Sequence, residues 1–145
     1  MSDVAITIGE WLAEENLEFD YTPANPESDL PHDVYRMPFR TENCKFVISV
    51  FIHEKHEFIM VCGYPEFTVP VKAVSRALQP INKLNRSYRF VTIVVDPEDG
   101  ELCFKGGMDY EGGTLGRQSV MGLVMGVARA IDEDLPEIIK AIYAD

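Results

Sequence analysis

Lys45-Phe46-Val47-Ile48-Ser49-Val50-Phe51-Ile52-His53 is the stretch on which the reading of this chain turns. Its side chains alternate across an extended backbone, so Phe46, Ile48, Val50 and Ile52 fall on one face and Val47, Ser49, Phe51 and His53 on the other. Glu54-Lys55-His56 supplies a turn, and Glu57 to Tyr64 returns with Phe58, Met60 and Cys62 opposite Ile59 and Val61. Both strands are apolar on both faces. A meander with one wet side does not read this way, so the second face needs a cover, either the protein's own helices or another chain. Val47, Phe51, Ile59 and Val61 are the residues predicted to form that second apolar face.

Upstream, Val34 to Arg40 reads as a third strand, and Pro38 places it at an edge because it lacks a ladder donor. Before it lies a connecting loop from Tyr21 to Asp29, rich in Pro, Asn, Asp and Ser. The chain opens with a predicted helix over about residues 7 to 17, where Thr7 and Glu10 have capping-box spacing. Downstream, Pro70 suits a first helical turn, and Val71, Val74, Leu78, Ile81 and Leu84 recur at helical steps; Pro80 is expected to kink that helix or end its regular part. Arg89 to Val95 and Glu101 to Lys105 form a hairpin around Asp96-Pro97-Glu98-Asp99-Gly100, in which Pro presets φ and Gly accepts positive φ. A last helix starts near Arg117, with Val120, Met121, Val124, Val127, Ala128 and Ile131 on its apolar face; Pro136 is expected to kink or split it. Helix, three strands, helix, two strands, helix is an α+β order: an antiparallel sheet packed by helices, in one domain spanning residues 1–145.

Composition narrows the partners. With 24 acidic against 13 basic side chains, the chain carries a formal net charge of −11. Such a surface repels phosphate backbones and anionic headgroups, which argues against nucleic acid and membranes, and it steers basic partners inward. No apolar run approaches the roughly 20 residues a bilayer requires, and no signal peptide is read at the start. Cys44, Cys62 and Cys103 are odd in number and widely spaced, which suits reduced thiols in the cytoplasm; one disulfide plus one free thiol is the alternative.

Motifs for chemistry are sparse. Gly107-Met108-Asp109-Tyr110-Glu111-Gly112-Gly113-Thr114 has the spacing of a phosphate loop, but Gly113 stands where the lysine belongs and Asp109 and Glu111 repel phosphate. Gly106 to Gly116 therefore reads first as a flexible strand-to-helix connection. His53-Glu54-Lys55-His56 spaces its histidines three apart at a turn, where a zinc-protease helix needs four, so it reads as a solvated turn. Asp132-Glu133-Asp134 reads as a solvated face. Gly122-x3-Gly126 permits close backbone approach, most simply against the sheet and otherwise in a dimer. The residues point to no cofactor, no metal site and no catalytic group.

The segment order, together with Leu84-Asn85, Arg89-Phe90-Val91-Thr92-Ile93 and the Asp99-Gly100 turn before Leu102-Cys103-Phe104, resembles the YbjN family. The resemblance covers about residues 6 to 143 and implies the fold of type III secretion chaperones. It also implies a candidate sensory-transduction regulator without an established enzyme activity. Proteins sharing that fold are small, acidic, usually homodimeric binders of other polypeptides. Residues and resemblance together give the expectation of a non-enzymatic, cytoplasmic, protein-binding module that is chaperone-like or regulatory and homodimeric. The alternative is a small-molecule sensor or enzyme using the Gly106–Gly116 loop.

Overall fold

The computed structural model describes residues 2–25, 27, 31–87, 90–110 and 115–144. In chain order these form α1 (Asp3–Glu14), β1 (Asp20–Thr22), β2 (Asp33–Arg40), β3 (Lys45–His53), β4 (Phe58–Pro65), α2 (Val74–Asn85), β5 (Thr92–Val95), β6 (Leu102–Asp109) and α3 (Arg117–Ile142). The strands make one antiparallel sheet in the order β1-β2-β3-β4-β6-β5. The expected α+β order is present, with one strand more than the pattern indicated. β1 is three residues long, too short for alternation to register, and it is held by pairing with β2.

Register decides which side chains are core. Met37 pairs with Ile48, Ile48 with Gly63, Gly63 with Phe104 and Phe104 with Ile93, a row running across five strands. The three large side chains of that row other than Ile93 are fully buried, and Ile93 is nearly so. Gly63 is the gap in the row, and α3 fills it: a Cβ there would stand 2.5 Å from Ile131 Cδ1 and 2.7 Å from Val127 Cγ1. A parallel row holds Tyr35, Val50 and Val61, and the Tyr35 hydroxyl donates to the Ala5 carbonyl of α1 at 2.6 Å. α2 packs against α3 and β5 in the same layer. Helices therefore lie on one face of the sheet, and the other carries Val47, Phe51, Met60, Tyr64 and the buried Cys62 with no helix over it among the described residues.

That arrangement corrects the proposed second face. His53 pairs with Phe58 across the short 3-10 turn Glu54–His56, so odd residues of β3 stand opposite even residues of β4. Ile59 and Val61 consequently share the helix-covered face with Ile52 and Val50 and are fully buried, while Val47 (38% exposed) and Phe51 lie on the open one. A single-residue offset in pairing exchanges every side chain between faces.

The helices differ from expectation in detail. α1 begins earlier, because the Ser2 hydroxyl accepts from the Ala5 amide and caps it; Thr7 lies inside and bonds the Asp3 carbonyl. In α2 the residues that bury are Ala77 and Ile81, whereas Leu78 is exposed, as is Val71 in the turn ahead of the helix. Pro80 and Pro136 interrupt neither helix. Gly106 to Asp109 belong to β6 and so are not loop, while residues 111–114 of the supposed phosphate loop lie outside the described residues.

Asp134 is buried on α3, contrary to the solvated-face reading, and its Oδ2 has no hydrogen-bond partner among the described residues. Burial, reinforced by Glu137, pushes its carboxyl above the ordinary range. A raised folded pKa means the fold disfavours the ionised form. The penalty is absent below the ordinary aspartate range and grows as pH rises through the raised value. Asp134→Asn is therefore expected to add about 1–2 kcal/mol at neutral pH. Urea titrations at neutral pH and near pH 3 check this, with the gain present in the first and vanishing in the second.

Candidate functional site

A cavity of about 580 Å³ opens on the exposed side of α3, where its lining includes Gly122, Leu123, Gly126 and Ala130 of the helix, with Phe90 and Met108 facing them. Volumes of this order suit a bound segment or small molecule. The sequence explains the helical wall. Ser119, Gly122, Gly126 and Ala130 recur at three- and four-residue steps, so they form a stripe of small side chains along α3. On the opposite side of the helix, Val120, Val124, Val127 and Ile131 are fully buried against the sheet.

Among the described residues, nothing packs closely against Gly122 and Gly126. A Cβ at either position meets nothing within 4 Å, so the reading of tight helix-on-sheet contact does not hold for them. The contact glycine is Gly63, on the strand. Glycine in a helix interior costs roughly 0.5–1 kcal/mol relative to alanine, and two such positions facing open space gain nothing for folding.

The facing wall is also unusual for a folded chain. Phe90 is 75% exposed, and β5 ends at Thr92 opposite Lys105. The half of β6 from Gly106 to Asp109 has no strand beside it on that side among the described residues, though it pairs with β4 on the other. Polar groups are few and sit at the margins: Gln118, Arg129 and Glu133. Asp109 and Arg117, at the two ends of the glycine-rich segment, do not line it. Arg117 instead reaches α1, pairing with Glu14 and, at 2.9 Å, with Glu15. That contact is exposed and serves to tether two helix ends, with little energetic weight.

The histidines occupy other places. His53 lies tilted against His32 at 4.5 Å between ring centroids, and His32 packs edge-on against Phe51 at 4.9 Å. Burial, then the neighbouring His53, holds His32 below the ordinary histidine range. No cluster of three or more metal-ligating side chains occurs among the described residues. Sequence reasoning missed the groove because it is built from glycines and one aromatic, and their shared exposure is a property of the packed helix.

Fold and site together define a helix-on-sheet α+β protein with an unfilled apolar groove along its last helix. Residues 7–140 match the YbjN family model, described as "Putative bacterial sensory transduction regulator", and the chain belongs to that family. Two solved structures share the fold. An uncharacterized protein from Methanothermobacter thermautotrophicus superposes with a TM-score of 0.65 at 16% identity, over 94% of this chain and 96% of that one. YbjN from E. coli, described as "a putative transcription regulator", gives 0.57 at 14% identity, over 93% and 87%. Curated proteins provide no match. No helix among the described residues is long and apolar enough to cross a membrane.

Proposed function

We propose that this chain is a non-enzymatic regulatory protein that works by binding an extended, apolar segment of another polypeptide in the α3 groove. The observation that carries the reading is the pair of helix-interior glycines, Gly122 and Gly126, facing open space beside an exposed phenylalanine. Local rules broken without a folding benefit point to function. Small residues let a partner backbone approach α3, and Gly107 to Asp109 of β6, with no strand beside them on that side among the described residues, offer main-chain groups for strand addition. The net charge of −11 favours a segment with basic flanks and speeds its encounter. Second-copy binding at the same groove would make the protein a homodimer, and a small metabolite of matching volume would make it a sensor.

The paired substitution Gly122→Ala with Gly126→Ala separates folding from binding. It is expected to raise stability by about 1–2 kcal/mol, because both positions have room for a methyl group and lose helix-opposing freedom. Partner recovered by affinity capture from the native cell is expected to fall at least tenfold. Undiminished capture, or a co-purified metabolite displaced by the substitutions, contradicts the polypeptide reading.

A further inference from the structure

We propose that Cys62 and Cys103 form a peroxide-oxidisable dithiol on the open face of the sheet, closing to an intramolecular disulfide independently of the α3 groove. β4 and β6 are antiparallel neighbours, and Cys62 stands opposite Lys105. Cys103 lies two residues before Lys105 on the same face, hence diagonal to Cys62. The right-handed twist of a sheet draws such diagonals together, and the two thiols come close enough to shift one another's titration. Tyr64 and Lys105 bear on both sulfurs as well. Both cysteines are free, Cys62 buried and Cys103 partly exposed, so the oxidant must be as small as peroxide to reach them.

These neighbours divide the roles. Cys103, with smaller help from Tyr64 and Lys105, holds the Cys62 thiol below the ordinary cysteine range against the opposing effect of burial. Cys103 is pushed the other way, chiefly by Cys62 and by burial, and keeps its proton. Cys62 is thus the attacking sulfur and Cys103 the resolving one. The Cys62 thiolate attacks one oxygen of hydrogen peroxide and breaks the O–O bond, and the departing hydroxide takes a proton to leave as water. The Cys103 sulfur then gives up its proton and attacks the resulting sulfenic sulfur, releasing a second water and forming the S–S bond. Two thiols and one peroxide become one disulfide and two waters, with the sulfurs supplying both electrons.

Diagonal Cα atoms in a flat ladder are about 7–8 Å apart, at the outer limit for a disulfide, so closure needs a local shift of strands. The site is placed for one: β4–β6 pairing runs from Phe58↔Asp109 only to Gly63↔Phe104, one residue beyond Cys62. Cys44 provides an internal control. It sits in the β2–β3 turn beside Thr41, its thiol is pushed up by burial, and neither other cysteine touches it in the pairing.

The test treats the full chain with stoichiometric hydrogen peroxide, alkylates remaining thiols and maps peptides by mass spectrometry. The expected result is a Cys62–Cys103 linked peptide with Cys44 still alkylated, reversed by dithiothreitol. In Cys103→Ser, which leaves the attacking sulfur in place, dimedone should trap a sulfenic acid at Cys62 and no linked peptide should form. Oxidation of Cys44 in preference to Cys62, a linked peptide surviving in Cys103→Ser, or Cys62 unchanged by peroxide overturns the assignment.

Discussion

Phe104→Ala is expected to lower the unfolding free energy by about 3–5 kcal/mol. Phe104 is fully buried in the row that runs Met37–Ile48–Gly63–Phe104–Ile93, between the two flanking strands of β6. Its removal leaves a cavity under the helical layer, and the stiff sheet on either side cannot collapse into it. Urea denaturation measures the effect: the midpoint should fall sharply while the denaturant slope stays unchanged. Val47 on the uncovered face gives the contrast, since alanine there should cost no more than about 0.5 kcal/mol. Equal losses at the two positions would mean that the faces have been assigned wrongly.

Gly100→Ala is expected to cost about 3 kcal/mol. Gly100 closes the turn between β5 and β6 at a φ of +78°, where a side chain is strained by about 1–3 kcal/mol. Space is the further obstacle, because a Cβ there would overlap the backbone carbonyl of Val69. The Val69 amide donates to the Gly100 carbonyl at 2.9 Å, and the Gly100 amide donates to Asp96 at 2.7 Å, so the turn cannot retreat without breaking both bonds. Asparagine tolerates this φ better than alanine, yet it carries the same Cβ. Thermal or urea unfolding of Gly100→Asn should therefore give a loss as large as that of Gly100→Ala. Rescue by asparagine would show that conformation alone, without the Val69 contact, sets the requirement.

Much of the architecture was legible because strong periods report strong environments. Lys45 to His53 matches β3 to the residue, since nine alternating positions leave one way to lie on a sheet. The Asp96–Gly100 turn was readable because proline and glycine each restrict or permit a particular φ. Register was not readable. Whether Ile59 and Val61 join Val47 or Val50 depends on the residues spent in the Glu54–Glu57 turn, and strands apolar on both faces cannot signal their own phase. Helix burial failed for a related reason in α2, where small Ala77 faces inward and Leu78 lies outside, as does Val71 just ahead of the helix. The groove was least legible of all: Gly122 and Gly126 have the same spacing whether a backbone lies against them or solvent does, and tertiary packing alone decides between the two.

The central claim is that the α3 groove receives another polypeptide. Its most direct test places a photo-crosslinking phenylalanine analogue at position 126 in the cell of origin, with position 47 on the open sheet face as the reference. A crosslink at 126 to a distinct protein, mapping to an extended apolar segment with basic residues beside it and absent at 47, is the result expected. Crosslinks at 47 alone, only to a second copy of this chain, or at neither position would contradict the claim.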